Sequence, residues 1–106
     1  MAAPLVNAPK RVRRGEVFEV RTLISHPMET GFRPGTNGTI IPRDIIEHVR
    51  CRFAGETVLD MALSPAVSAN PYLVFYVRAD AGGALEMEWT GDKGFSASYS
   101  TAIVVE

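Results

Sequence analysis

The chain has 106 residues, a hydrophobic fraction of 46% and a formal net charge of −1. This length predicts a single domain over residues 1–106 that can bury one hydrophobic core. The near-zero charge argues against general electrostatic binding of nucleic acid or of an anionic membrane, and no apolar run is long enough to span a membrane.

Short segments with the composition of β-strands follow one another along the chain. These strand signals cover 16–25, 45–53, 58–63, 72–79, 84–90 and 95–105. Glycine-containing turns separate several of them, as expected for a fold of short antiparallel strands. The basic run 10–14 is interpreted as a solvated strand edge or turn, and 42–47 could hold one helical turn at most. The pattern predicts an all-β fold, an antiparallel β-sandwich of about seven strands.

Segment 25–44 is the part least typical of a sandwich. Asn37-Gly38 lies between apolar residues, and this dipeptide is a strong signal for a tight hairpin turn. We therefore expect 25–44 to form a protruding hairpin. Met28 and Glu29 are expected to lie outside the core face of any strand.

Segment 72–79 is apolar on both of its alternating faces. Such a segment is either a central strand of the sandwich or a strand with one face covered by a partner. Tyr72 and Tyr76 share a face with Val74, and tyrosine is common at protein interfaces. Asn70-Pro71, just before the strand, is a candidate for a cis peptide bond.

Few residues are suited to catalysis or to metal binding. There are two histidines, His26 and His48, and a single cysteine, Cys51. Cys51 alternates with apolar residues, which favours inert burial over a redox or intermolecular role. His26 and Met28 could together bind copper or a small ligand, although further ligands at suitable spacing are missing. No cofactor is predicted.

Three blocks of sequence resemble the SoxZ family of sulfur-oxidation proteins. They are Leu23-Ile24-Ser25-His26-Pro27-Met28-Glu29-Thr30-Gly31, Ile41-Pro42-Arg43-Asp44-Ile45-Ile46 and Ser68-Ala69-Asn70-Pro71-Tyr72-Leu73-Val74-Phe75-Tyr76. The resemblance extends over about residues 15–105 and implies an immunoglobulin-like sandwich. It also implies a non-enzymatic subunit that forms a heterodimer with SoxY and meets other Sox enzymes transiently. SoxY carries sulfur intermediates on a cysteine of its mobile C-terminal arm, so Cys51 is not expected to be the carrier.

The resemblance makes two segments and one further tyrosine the candidate partner-binding residues. They are His26, Pro27, Met28, Glu29, Thr30, Gly31, Ser68, Asn70, Pro71, Tyr72 and Tyr76. The N-terminus has no basic region followed by an apolar one, so no export signal is predicted. The resemblance therefore implies a periplasmic protein that is exported together with SoxY. The alternative is a stand-alone periplasmic sandwich that binds copper or a small ligand through His26 and Met28.

Overall fold

A computed structural model describes residues 3–106, and in it eight strands carry the fold. Their bounds are β1 Leu5–Asn7, β2 Arg11–Val12, β3 Val17–Leu23, β4 Ile46–Phe53, β5 Glu56–Ala62, β6 Tyr72–Arg78, β7 Gly83–Gly91 and β8 Ser96–Val105. The six predicted strand segments correspond to β3 through β8. The sequence pattern missed β1, which is short, and gave β2 only as a strand edge or turn within the basic run.

The strands form two sheets with the orders β1-β3-β6 and β2-β8-β7-β4-β5. All pairs are antiparallel except β2 with β8, which run parallel. The predicted fold class, an all-β immunoglobulin-like antiparallel sandwich, is confirmed. The chain crosses from one sheet to the other between β1 and β2, which closes one side of the sandwich.

Side chains at alternate positions of the strands fill the space between the sheets. In β3 the predicted inward residues Phe18, Val20 and Thr22 are all buried. Trp89 of β7 is buried as predicted, and so is Cys51 of β4. Because a strand has a two-residue period, this alternation leaves a second set of side chains on the outer face of each sheet.

The start of β4 departs from simple alternation, as the polar Glu47 indicated. The register between β4 and β7 shifts between Ile46 and His48, so Ile45 and Ile46 are both buried while Glu47 is exposed. Gly91 lies opposite this irregularity, where an added Cβ would be 2.3 Å from the Ile45 carbonyl oxygen. Glycine is therefore required here by the close approach of two backbones.

Segment 25–44 doubles back on itself as an irregular hairpin. Two isolated bridges join Glu29 to Asp44 and Pro34 to Ile40, and the tip between them is exposed. The turn lies at 35–38, where the Gly38 N–H donates to the Gly35 carbonyl. Residues 42–47 contain no helical turn; within residues 3–106 the 3₁₀ turn Asp92–Gly94 is the only helical element.

Candidate partner-binding surface

The outer face of the three-stranded sheet carries an exposed row of apolar side chains. Leu5, Leu23 and Tyr72 lie side by side on its three strands, and Val74 and Tyr76 continue the row along β6. The exposed fractions are 65% for Leu5, 60% for Tyr72 and 64% for Tyr76. Monomeric proteins seldom leave a contiguous apolar patch of this kind in water, and such patches mark interaction sites.

The strand β6 lies at an edge of its sheet, so the prediction of a central position is wrong. Its other interpretation, a strand with one face open to a partner, fits the observed exposure. Inward residues Leu73, Phe75 and Val77 pack on the core, while Tyr72, Val74 and Tyr76 point outward. The two apolar faces of this strand therefore have different roles.

Three charged side chains, Glu19, Arg21 and Arg78, share this outer face with the apolar row. Glu19 and Arg21 are two residues apart on β3 and form an ion pair, and the Tyr76 hydroxyl donates to Glu19 Oε2 at 3.2 Å. The hydrogen bond from Arg21 lowers the pKa of Glu19. Because the carboxylate already has two donors, a partner that covers it would not leave it unpaired.

The outer face of the five-stranded sheet is polar by contrast. Arg50, Glu88 and Ser98 are neighbours across three strands, and Arg52, Glu86 and Ser100 form the next row. These six side chains contribute to a shallow depression of about 280 Å³. A surface of this composition is well solvated and has little to gain from burial.

The first segment of the candidate site, 26–31, is anchored by a buried histidine. The His26 ring is 5% exposed and packs edge-on against Phe95, with ring centroids 4.8 Å apart. Its Nδ1 accepts a hydrogen bond of 3.0 Å from the Met28 N–H, so the neutral ring carries its proton on Nε2. Nε2 lies 3.6 Å from Asp44 Oδ1, on the returning half of the hairpin.

Met28 lies in no strand, as expected, but its side chain belongs to the hydrophobic core, so the expectation that its replacement would spare the sandwich is wrong. Its side chain is 4% exposed, and its Sδ accepts a hydrogen bond of 3.3 Å from the Ile46 N–H. The backbone turns inward there because Met28 adopts a left-handed conformation with φ 49°. That conformation places a large apolar side chain under the sheet where strand alternation gives no signal.

The rest of this segment holds the base of the hairpin. Glu29 and Asp44 exchange backbone hydrogen bonds of 2.8 and 2.9 Å, and the Glu29 carboxylate pairs with Arg33 at 2.6 Å. The hydrogen bond from Arg33 lowers the pKa of Glu29. Gly31 has φ 88° and faces the Arg43 Cβ, which would lie 2.9 Å from a Cβ at this position. Pro27 and Thr30 complete the segment, with Pro27 exposed.

The second segment, 68–72, contacts the first directly. The His26 N–H donates to Asn70 Oδ1 at 2.9 Å, and the Asn70 N–H donates to the His26 carbonyl at 2.8 Å. Asn70 has φ 53°, which asparagine tolerates better than most residues. The bond before Pro71 is trans, contrary to the cis possibility. Ser68 is exposed beside this junction.

The hairpin base is fixed to the β7–β8 connection by a network of charges. Arg43 makes two hydrogen bonds of 2.9 Å to the Asp92 carboxylate, which also accepts from the Ile45 N–H at 3.1 Å. These donors, Arg43 first, lower the pKa of Asp92 to about 2. The nearby Asp92 carboxylate raises the pKa of Glu47. The loops of this end of the sandwich are thereby tied together.

Neither histidine-methionine binding nor thiol chemistry finds support in this geometry. His26 Nδ1 and Met28 Sδ each already accept a backbone hydrogen bond inside the core. Within residues 3–106 there is no group of three or more His, Cys, Asp or Glu side chains suited to hold a metal ion. Burial raises the pKa of the Cys51 thiol to about 12.

Within residues 3–106, no helix combines the length and apolarity needed to cross a membrane.

The chain is thus an all-β sandwich with an exposed apolar row on one of its two outer faces. The sequence profile of the family described as sulphur oxidation protein SoxZ matches residues 6–102. The chain therefore belongs to the SoxZ family and takes part in the sulfur-oxidation system. A search of the curated proteins found no match.

Solved structures with the same fold include proteins of several kinds. A superoxide reductase (neelaredoxin) from Ignicoccus hospitalis is 17% identical with a TM-score of 0.69. The match covers 99% of this chain and 81% of the reductase chain. The sulfur carrier protein SoxY from Chlorobium limicola is 14% identical with a TM-score of 0.66, and the match covers 100% of this chain and 81% of the SoxY chain. A CARDB domain from Pyrococcus furiosus, solved with di-metal ions, is 13% identical with a TM-score of 0.56, and the match covers 98% of this chain and 93% of the CARDB chain. At these identities the likeness concerns the fold alone.

Proposed function

We propose that this chain is the scaffold subunit of a sulfur carrier complex in thiosulfate oxidation, and that it forms a heterodimer with SoxY. Membership of the SoxZ family supports the place in sulfur oxidation. The observation that carries the pairing is the exposed apolar row Leu5, Leu23 and Tyr72 with its continuation to Tyr76. A stable heterodimer would remove this surface from water, which is the main favourable contribution in most protein association.

The proposed role is not catalytic. A carrier or catalytic thiol must be accessible and readily deprotonated, whereas the Cys51 side chain is 0% exposed and its pKa is raised to about 12. The sulfur intermediates would therefore be carried on the SoxY arm. This chain would provide a rigid body beside the base of that arm and additional surface for the Sox enzymes that visit it.

Some of the candidate residues can touch SoxY directly, and others hold those residues in place. Tyr72 and Tyr76 offer exposed side chains on the apolar face. His26 and Asn70 instead bond to each other through backbone and side-chain groups and fix the turn that leads into β6. They would act as positioning residues for the start of the strand.

Co-expression with tagged SoxY tests the proposal. The untagged chain should be retained with SoxY, and light scattering should give the mass of one copy of each subunit. Tight, salt-resistant binding is expected because the proposed contact is apolar rather than ionic. A wild-type chain that stays soluble, monomeric and unbound when folded SoxY is present would contradict the pairing.

We also propose that the complex works in the periplasm and that SoxY brings this chain there. The support is the expected pairing, since a chain held by an exported partner can cross the membrane with it. Fractionation of cells with and without the SoxY export signal tests this. The chain should remain in the cytoplasm when SoxY is retained there, and its export without SoxY would show an independent route.

A further inference from the structure

The strand β6 has one paired edge and one free edge. Its residues 72–78 pair without interruption with β3, and no strand of residues 3–106 pairs with its other edge. It is the last strand of the three-stranded sheet. The free edge runs along the side of the sandwich that residues 3–106 leave open.

The hydrogen bonds at both ends of β6 show which backbone groups face that free edge. The Ile24 N–H donates to the Pro71 carbonyl at 3.3 Å, and the Ala79 N–H donates to the Glu16 carbonyl at 2.8 Å. Hydrogen-bonded pairs alternate along an antiparallel ladder, so residues 73, 75 and 77 bond to β3. The N–H and C=O groups of Tyr72, Val74 and Tyr76 therefore point outward from the sheet edge.

This edge lacks the features that usually prevent edge-to-edge pairing. Sheet edges are commonly protected by charge, proline, bulges or short strands. β6 has seven residues with a continuous register, and its one charged residue is the terminal Arg78. The facing edge strand β5 is protected, because it carries Glu56 and Asp60 and its register with β4 is irregular.

There is open space beside the edge. Two clefts lie between β5 and β6, one of about 220 Å³ near Met61, Leu63 and Leu73 and one of about 420 Å³ near Val58 and Tyr76. The first of these is lined almost wholly by apolar side chains. An extended segment laid against β6 would cover both the free backbone groups and part of this lining.

We propose that β6 accepts a strand of the SoxY subunit on its free edge, so that the sheet β1-β3-β6 continues into the partner. The inference rests on the proposed function and specifies how the pairing is made. Two observations favour SoxY as the occupant. The free backbone groups belong to Tyr72, Val74 and Tyr76, whose side chains form the apolar face. A solved SoxY is itself a sandwich of the same fold and so has strands to offer. Addition of a strand to an exposed edge is a common mode of protein recognition.

The first test compares Val74→Pro with Val74→Ala. Both variants remove the valine side chain, but only proline removes the N–H that points to the free edge. Proline is tolerated on edge strands when its nitrogen faces solvent, so the free chain should remain folded. Binding of Val74→Pro to SoxY should be weaker than that of Val74→Ala by about tenfold or more, since one buried carbonyl of the partner strand loses its donor.

The second test needs no substitution and decides the matter if Val74→Pro does not fold. Amide exchange is measured by NMR for the labelled wild-type chain, free and bound to SoxY. Exchange at Val74 and Tyr76 should slow strongly in the complex. Asp60 and Ala62 are the internal controls, because the Leu63 N–H bond to the Glu47 carbonyl at 2.8 Å places their N–H groups on the free edge of β5.

The outcomes separate this inference from the proposed function. If wild type binds SoxY while Val74→Pro binds as well as Val74→Ala and the amides gain no protection, edge pairing is wrong and the heterodimer stands. If wild type does not bind SoxY, the heterodimer and edge pairing both fail. Protection at Val74 and Tyr76 that appears in the concentrated free chain and does not change with SoxY would assign the edge to a second copy and overturn the proposed occupant.

Discussion

The candidate segment 26–31 and the candidate tyrosines of β6, Tyr72 and Tyr76, use similar residues in opposite ways. In the first, the apolar and aromatic groups of His26 and Met28 are turned into the core and hydrogen bonded there. In the second, Tyr72 and Tyr76 remain on the surface with well over half of their side chains exposed. An unusual sequence segment therefore does not by itself indicate a binding surface.

The difference follows from the backbone. The positive φ of Met28 turns its side chain inward, whereas β6 keeps strict alternation on a sheet whose outer face nothing in residues 3–106 covers. Substitutions in the first segment should thus change stability, and those in the second should change affinity. The following experiments test that division in order of expected effect.

Replacing both Tyr72 and Tyr76 with serine should have the largest effect on partner affinity. Buried tyrosines at interface centres often contribute about 2 kcal/mol each, so affinity for SoxY should fall by about 1,000-fold. The melting temperature should change little, because both side chains are exposed in the free chain. Titration calorimetry and thermal unfolding measure the two quantities.

The matched control lies on the polar outer face of the other sheet. Arg50→Ser with Glu88→Ser removes two neighbouring side chains of the five-stranded sheet. This control should bind SoxY as wild type does. A control as weak as the tyrosine variant, or a tyrosine variant of undiminished affinity, would show that the apolar face is not the contact.

Met28→Ala should reduce the free energy of unfolding by about 3 kcal/mol, through loss of a buried side chain and the cavity it leaves. The Ile46 N–H also loses its sulfur acceptor. Affinity of the folded fraction for SoxY should be unchanged. Chemical denaturation and binding at low temperature provide the two readouts.

Glu29→Ala is the neighbouring control for that experiment. Glu29 is held mainly through its backbone, and its carboxylate pairs with the exposed Arg33, so the melting temperature should stay close to that of wild type. If Met28→Ala unfolds no more easily than Glu29→Ala but binds SoxY poorly, the division between the two segments is reversed.

Cys51→Ser should cost about 1 kcal/mol of stability, because a hydroxyl replaces a thiol in the core. Sulfur loading of the complex should be retained, since the carrier thiol is expected on SoxY. In the folded wild-type chain, alkylation at pH 8 should be very slow because the pKa of Cys51 is raised to about 12, and it should become fast on unfolding. Loss of bound sulfur from an assembled Cys51→Ser complex would contradict this.

The smallest effect concerns pH and the hairpin base. The pKa of Asp92 is lowered from 3.8 to about 2, so its ionisation stabilises the folded chain above about pH 4 and that stabilisation is lost as the pH falls through 2. Asp92→Asn should melt below wild type at pH 5, and the difference in melting temperature should shrink as the pH falls through 2. An equal difference in melting temperature at the two pH values would show that ionisation of Asp92 beside Arg43 contributes nothing measurable to stability.

The sequence predicted the sandwich well because strand alternation is a local signal. The inward residues of β3 and β4, Trp89 in the core and the irregularity at Glu47 all follow from two-residue periodicity and its interruption. The edge position of β6 could not be read in the same way, because strand order depends on pairing between segments far apart in sequence.

The buried positions of His26 and Met28 were not predictable from pattern either. They depend on a left-handed residue and on the contact with Asn70, 44 residues away along the chain. Asparagine before proline signals a turn, but not which distant backbone its side chain will bond to. The structure brings the two candidate segments, 26–31 and 68–72, together through the hydrogen bonds between His26 and Asn70.

The irregular hairpin and the long sheets give the chain an elongated outline. Its dimensions are 59 × 21 × 18 Å and its radius of gyration is 16.2 Å, against about 13 Å for a compact domain of this length. Such a rod meets more friction than a sphere of equal mass. The single chain should therefore leave a gel-filtration column somewhat early, at a volume that spherical standards would assign to a mass larger than its own. Its backbone ¹⁵N relaxation should likewise depend on whether an N–H lies along or across the long axis, with β-strand amides and hairpin amides giving different apparent tumbling times.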